Sequence, residues 1–298
     1  MNPTIYYWLD MEISKLIKPS QLSKEKLNNF NTIILVRYIP LRIIIDLFRL
    51  RKKLKIVLLI DDNLLDFNIF SELPFLYKIK IFFGIYCYKL FLHIFIDEIW
   101  VTNERLEKKI KKNVLKKDMN IKLLSFNNNR IYNPKKIFKI AYIGTSSHQL
   151  ELCWLKSLFE QIQFEREDIL IEIYLDKKWR RLYRHIPRVS ILYPTNWETF
   201  HMNTLLSNVD VVLNPIINSN FNKYRSPTKF FDTTRLGAVG IYSNCAPFKN
   251  FIKDYKDGIL LENDIEIWKK EIYHILNNVE ARQVIYLNAS KRANNLLK

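Results

Sequence analysis

The residues best spaced for chemistry lie in Arg225–Gly240, RSPTKFFDTTRLGAVG. This stretch follows an apolar run, Val209–Leu213, and a polar loop, Ile216–Tyr224, and it leads into a second apolar run, Val239–Tyr242. That order predicts strand, loop, helix, strand. Ser226 can serve as the N-cap, and Pro227 suits the first helical position because the N–H it lacks has no partner there. The helix is predicted from Pro227 to about Leu236, with Gly237 stopping it. Arg225 just before the cap and Lys229 in the first turn put cations at the positive end of a helix dipole, which is unfavourable unless an anion joins them. A phosphate held by the free first-turn amides would resolve the conflict. Asp232, three residues after Lys229 on roughly the same face, could then accept hydrogen bonds from ribose hydroxyls. These features fit a nucleotide diphosphate site, and they fit a surface helix with scattered charges equally well.

A second group, Asp61-Asp62, ends the apolar run Leu54–Ile60. Ligands of open parallel sheets gather at the carboxyl ends of strands. The pair therefore reads as a catalytic base, a binder of substrate hydroxyls or an ordinary turn. No second acid cluster lies nearby to complete a divalent-metal set, so no metal is expected. A third group, Gly144-Thr145-Ser146-Ser147-His148, joins a predicted strand, Lys139–Ile143, to a predicted helix, Leu150–Gln161. A small polar loop in that position is favourable for phosphate. It carries neither the lysine of a Walker loop nor a dinucleotide fingerprint.

The elements that must position these groups alternate. Strands are predicted at Asn31–Val36, Leu54–Ile60, Glu98–Thr102, Lys139–Ile143, Ile169–Leu175, Val189–Leu192, Val209–Leu213 and Val239–Tyr242, with Gly258–Leu261 a final strand or turn. Between them, helices are predicted at Leu41–Lys53, Phe75–Ile94, Glu104–Lys112 capped by Asn103, Leu150–Gln161, Trp197–Ser207, Pro227–Leu236 and Pro247–Lys253. Two more, Ile265–Leu276 and Val279–Leu297, close the chain, while Tyr6–Ile17 reads as a short strand or helix. The alternation predicts an α/β architecture, doubly wound in two halves. The polar stretch Lys116–Pro134 is the natural boundary, giving domains 1–133 and 134–298, with the last helix free to pack back on the first.

The bulk properties agree with a folded chain. Its 298 residues are 48% hydrophobic and 26% charged, which is globular and not disordered composition. The net charge of +17 raises nucleic-acid binding, attraction to an anionic membrane surface, or compositional drift in a chain heavy in Lys, Asn and Ile. Acids are interleaved through most of the chain and no nucleic-acid motif is present, so drift with membrane attraction is favoured and a nucleic-acid partner is not. Cys87, Cys153 and Cys245 are odd in number and far apart, which predicts free thiols filling the core of a protein in a reducing compartment. The opening MNPTIYYWLDMEI has acids where a secretory signal would be basic, which favours a cytoplasmic location. Phe75–Ile96, FLYKIKIFFGIYCYKLFLHIFI, is long and aromatic, but Lys78, Lys80, Lys89 and His93 interrupt it. It reads as a buried helix or as a monotopic helix lying in the inner membrane face, not as a span.

Six stretches in order resemble bacterial glycosyltransferases of the GT-B fold, near family 4 (group 1). They are Lys55–Asp62 with Leu64-Leu65, IDEIWVTNERL at Ile96–Leu106, IAYIGTSSH at Ile140–His148, Trp197–Pro215, FNKYRSPTKFFD at Phe221–Asp232, and Asp257–Leu261 with Trp268. The resemblance covers roughly residues 30–290. It implies two Rossmann-like doubly wound domains facing across a cleft, the first of them reduced. It implies that Arg225 and Lys229 neutralise the diphosphate of a nucleotide sugar beside Ser226. Asp232, standing where the family has Glu, would bind ribose, Gly144, Thr145 and His148 would line the phosphate side, and the loop from Asn218 to Asn222 would meet the sugar. The implied function is transfer of that sugar to a glycan or polyprenyl-linked acceptor in surface polysaccharide synthesis, peripheral at the inner membrane face. No cofactor is needed beyond the donor substrate. The two cations and the helix terminus stabilise the departing diphosphate without a metal, and Asp61 or Asp62 orients or deprotonates the acceptor hydroxyl. The chain departs from the family in having Tyr224 where an acid is usual, and in having only 5 Gly and no glycine-rich acceptor loop. A degenerate, non-catalytic relative that binds a nucleotide sugar or a partner is the alternative.

Overall fold

The computed structural model describes residues 3–9, 17–18, 21, 27–110, 114–116, 130–134, 136–144, 148–175, 179–193, 199–200 and 208–296. The chain forms two compact units. One holds Asn2–Lys122 together with Ser219–Ser226, and the other holds Leu123–Asn218 together with Pro227–Lys298.

The first unit is built on a parallel sheet in the order β1 (Thr32–Val36), β2 (Lys55–Ile60), β3 (Glu98–Val101), β4 (Val114–Lys116). β2 is buried at every position after Lys55. A central strand covered on both faces cannot alternate, which is why KIVLLI is a continuous apolar run. Val36 pairs with Leu59, and Ile60 with Val101, so the carboxyl ends of β1, β2 and β3 lie side by side. The short edge strand β4 escapes sequence reading because it sits in a Lys-rich polar stretch and leaves Leu115 and Lys116 exposed.

Two predicted helices of this unit differ from expectation. Leu41–Lys53 starts as a 3-10 turn at Leu41–Ile43 and is α-helical only over Ile44–Leu50. Phe75–Ile94 is broken into a helix at Phe75–Gly84, a 3-10 turn at Tyr86–Tyr88 and a short helix at Leu92–Phe95. The break follows a close approach. A Cβ on Gly84 would lie 2.7 Å from the Tyr38 ring, and the Gly84 carbonyl accepts from the Ile39 amide at 2.7 Å. The chain then turns at Ile85, so that Ile85, Leu92, Phe95 and Ile96 enter the core. None of the described helices is long and apolar enough to cross a membrane.

The second unit is a six-stranded parallel sheet in the order β10 (Ile259–Leu261), β9 (Val239–Ser243), β8 (Val211–Asn214), β5 (Phe138–Ile143), β6 (Ile169–Tyr174), β7 (Val189–Leu192). The chain builds outward from β5 to β7 and then crosses to the other side of β5 for β8, β9 and β10. The reversal makes β5 and β8 neighbours, and the carboxyl ends of such a pair form the crevice in which doubly wound sheets bind ligands. Helices Gln149–Glu165, Thr228–Arg235, Ile265–Asn277 and Val279–Leu296 accompany the sheet. Its core includes Ile140, Tyr142, Leu155, Phe159, Ile171, Ile241 and Trp268. The closing helix packs within this unit, against Thr228–Arg235, Ile265–Asn277 and β9. Gly237 stops the Thr228–Arg235 helix as its position predicts, at φ +69, where a side chain would be strained.

Other expectations are corrected or fall outside the described residues. Pro247–Lys253 is a series of turns, not a helix. None of the three cysteines fills the core: Cys153 is exposed on its helix, and Cys87 and Cys245 are half-buried. Of Trp197–Ser207 only residues 199–200 are described. Tyr6–Ile17 is helical over its described start, in the helix Pro3–Trp8.

Candidate functional site

In the second unit, Lys229 brings the opening stretch to the sheet. Its Nζ donates to the carbonyl of Ile143, the last residue of β5, at 2.5 Å, and lies 4.8 Å over the Tyr142 ring. The ammonium therefore sits where β5 gives way to Gly144. Gly144 is small by necessity, since a Cβ there would lie 2.4 Å from the Tyr142 ring. Thr145 lies outside the described residues. His148 begins the Gln149–Glu165 helix without capping it through its side chain, and is buried with its Nδ1 3.8 Å from Glu151 Oε2. Glu151 Oε1 accepts from the Ile217 amide at 3.1 Å, tying this helix to the loop after β8.

That loop is held from the other side as well. Ser243 Oγ accepts from the Ile216 amide at 2.8 Å and donates to Asn263 Oδ1 at 2.5 Å, while Asn263 Nδ2 donates to the Ile216 carbonyl at 2.9 Å. Asn214 Nδ2, at the end of β8, donates to Thr233 Oγ1 at 3.1 Å. Ser243, Asn214 and Thr233 are buried, Asn263 is exposed, and satisfied polar groups of this kind hold a loop in one arrangement. Asn218 is exposed at its end. Asp232, one turn after Lys229, pairs with buried Arg235 at 3.0 Å, a local i,i+3 pair that the sequence reading did not name.

The first unit gathers a different set. Asp61 and Asp62 follow β2, and Arg37 follows β1 with φ +66. Register places the two strand ends together. Arg37 Nε lies 2.6 Å from Asp61 Oδ1, and Nη2 of the same guanidinium donates to Asp62 Oδ2. Thr4 Oγ1 donates to Asp61 Oδ2 at 2.5 Å. Arg225 Nε stands 3.6 Å from Asp62 Oδ1. Asp62 is almost wholly buried, so the pair is an ion-paired cluster and not an ordinary turn. Burial is the largest single effect on Arg37 and opposes its charge, but Asp61, Tyr77 and Tyr38 together outweigh it and raise the guanidinium pKa.

Ser226 does not cap the helix. The helix starts at Thr228 with Pro227 in the cap position and no side-chain cap. Ser226 Oγ instead donates to Thr102 Oγ1 at 2.7 Å, and Asn103 Nδ2 reaches both Ser226 Oγ at 3.3 Å and the Tyr224 carbonyl at 2.8 Å. Asn103 caps its own helix as expected, accepting from the Leu106 amide at 3.0 Å. Nearby, the Glu72 carboxylate accepts from the Asn220 and Phe221 amides, each at 2.8 Å. Asn222, buried, begins a 3-10 turn and accepts on its carbonyl from the Arg225 amide at 3.1 Å. Arg225 and Ser226 thus belong with Asp62 in the first unit, and Lys229, Gly144, His148 and Asp232 belong together in the second.

Residues that sequence reading missed include Arg37, Glu72, Glu151 and Asn263. The available signals were an arginine directly at a strand's carboxyl end and a glutamate three residues after a loop histidine.

No family model and no curated protein sequence matches the chain. Solved structures do. TarM of S. aureus, solved with Fondaparinux, alpha-GlcNAc-glycerol and UDP, matches at a TM-score of 0.59 and 15% identity over 82% of this chain and 48% of that one. The pneumococcal O-GlcNAc transferase GtfA, solved with UDP and GlcNAc, matches at 0.59 and 14% over 92% and 56%. WaaG, a glycosyltransferase involved in lipopolysaccharide biosynthesis, matches at 0.57 and 11% over 80% and 70%. The chain has the GT-B fold. It spans about half the length of the TarM and GtfA chains. In this GT-B chain the switch point between β5 and β8 collects Lys229, Gly144 and the braced loop after β8, a cationic and amide-rich edge suited to a phosphorylated ligand. The first unit collects a carboxylate pair set by two guanidiniums.

Proposed function

We propose that this chain transfers a glycosyl unit from a nucleotide-diphosphate sugar to a glycan or polyprenyl-linked acceptor, in surface polysaccharide synthesis. The observation that carries the reading is Lys229 seated at the carboxyl end of β5, beside the switch point of a GT-B sheet. There an ammonium and the first-turn amides of Thr228–Arg235 stabilise charge as it builds on the departing diphosphate. In the transfer, the bond from the anomeric carbon to the phosphate oxygen breaks and a bond from that carbon to the acceptor oxygen forms. The acceptor proton passes to a carboxylate, with Asp61 or Asp62 in that role, and the diphosphate leaves with the electron pair. Within the second unit Asp232 receives ribose hydroxyls, and the step as proposed uses no metal. TarM and GtfA were each solved with UDP, which makes uridine the first nucleotide to try. The lipopolysaccharide role of WaaG supports a surface glycan product.

The test is thermal shift against UDP, GDP, CMP and TDP sugars, followed by release of the free nucleotide. A ligand at a hundred times its Kd adds about 2.7 kcal/mol to folding stability and raises Tm accordingly. We expect one nucleotide series to raise Tm and Lys229→Ala to lose that rise. No shift with any series, or wild-type affinity in Lys229→Ala, overturns the donor site. A second reading, a non-catalytic nucleotide-sugar binder, is favoured by Tyr224. It stands where the family usually has an acid, with its carbonyl taken by Asn103 and its ring faced by Lys109 at 4.9 Å. A nucleotide shift without turnover on any acceptor assigns the chain to that reading.

A further inference from the structure

The broken aromatic segment of the first unit leaves one face in the core and turns another outward. In the helix Phe75–Gly84, Ile81 is buried, and the turn after it buries Ile85. Phe75, Leu76, Ile79, Phe82 and Phe83 recur at helical spacing on the other side, and all are exposed, Leu76 at 79%, Phe75 at 73% and Phe83 at 60%. The next turn adds Leu90 at 77% and Phe91 at 57%. The helix Leu92–Phe95 packs beside the helix Ile44–Leu50, which exposes Ile45 and Phe48 just after exposed Leu41. An exposed apolar face of this extent marks an interaction surface.

Its charge says what covers it. From Phe75 to Ile96 there is no Asp or Glu, and Lys78, Lys80 and Lys89 are interleaved with the aromatic residues. The neighbouring segment adds Arg42, Arg49, Lys52 and Lys53, all exposed. The Lys80 ammonium stands 4.6 Å over the Tyr38 ring, so its stem lies along apolar surface while its head stays at the rim. Protein–protein interface cores are depleted in lysine, whereas apolar wedges ringed by lysine suit the boundary between acyl chains and anionic headgroups.

We propose that this face seats the protein on an anionic lipid leaflet, with Phe83, Leu90 and Phe91 entering the acyl boundary and Lys78, Lys80 and Lys89 on the headgroup phosphates. It deepens the proposed transfer by naming the surface at which a polyprenyl-linked acceptor is met. It rests on that reading for the acceptor alone, because lipid binding and nucleotide binding are measured separately.

The experiment is flotation of the full chain with vesicles of phosphatidylcholine alone and of phosphatidylcholine mixed with phosphatidylglycerol. The protein should float with the mixed vesicles, stay behind with phosphatidylcholine, and be released by high salt. Phe83→Ser with Phe91→Ser should lower partitioning more than tenfold. Lys80→Gln and Lys89→Gln should each lower it roughly fivefold. All four side chains are solvent-facing, so the variants should keep the wild-type circular dichroism and any nucleotide-induced rise in Tm. A wild-type protein that stays behind with the mixed vesicles overturns the proposal, as do variants that float like wild type. A concentration-dependent dimer in sedimentation velocity that the same phenylalanine variants abolish, without vesicle binding, assigns the face to a second copy of the chain and also overturns it.

Discussion

Asp62 shows how one residue sets the character of its surroundings. Its two oxygens face Arg37 and Arg225, and its side chain is 4% exposed while each arginine side chain is 21% exposed. Removing this carboxylate takes one anionic partner from each of two partly buried arginines while Arg37 keeps Asp61, and it costs about 2–4 kcal/mol, below the about 3–5 kcal/mol of a fully buried pair. Asp62→Ala should therefore lower the denaturant midpoint by that equivalent, and Asp62→Asn by less, because the amide oxygen still accepts. Equal stability of Asp62→Ala and wild type would mean that the cluster contributes nothing to folding. The same arrangement constrains the chemistry. If Asp61 or Asp62 is the proposed base, it would work with a guanidinium already on it, and so would orient an acceptor hydroxyl as readily as take its proton.

At the scale of elements, Gly84 is where local pattern yields to packing. Lys78 to Ile94 would continue as a helix on hydrophobic spacing, but the Tyr38 ring occupies the place of a Cβ at position 84. Gly84→Ala should cost about 1–3 kcal/mol through overpacking. Gly84→Ala combined with Tyr38→Ala should cost less than the sum of the two single changes, because they relieve the same contact. Strict additivity in urea melts would show that the ring does not set the break. Where elements are governed by their own residues, the sequence already describes them. The runs Lys55–Ile60, Ile169–Tyr174 and Val189–Leu192 are strands, Asn103 caps its helix and Gly237 ends the next one. Ser226 is the counter-example, an apt cap by type and place whose hydroxyl is taken by Thr102, 124 residues away.

For the whole molecule, net charge and ion pairs give a pH dependence with a definite sign. Lys55 beside Glu98, Lys269 beside Glu165 and Arg166 beside Asp168 hold these carboxyls below their usual range. Groups whose folded pKa is depressed contribute stability that is complete above their unfolded values, near about 4, and is lost as pH falls through the folded ones. Each pair is partly exposed and screened, so each contribution is small, while repulsion within a chain of net charge +17 acts in the same direction as acids are neutralised. Tm should be level between about pH 5 and 7 and fall below about pH 4. The triple variant Glu98→Gln, Glu165→Gln, Asp168→Asn should show a shallower fall. A wild-type Tm that holds level to about pH 3 contradicts the assignment.

By itself the sequence determined the α/β alternation, the position of nearly every buried strand and the cation-bearing helix after β8. Those features rest on hydrophobic period and on dihedral preferences that neighbouring residues share. Only the tertiary structure decided that Lys229 closes on Ile143 at the switch point and that Arg37 holds both Asp61 and Asp62. It also decided that Phe75–Phe91 turns half its apolar residues outward. These outcomes depend on which strand ends become neighbours and which face is already occupied, and no local pattern carries that information.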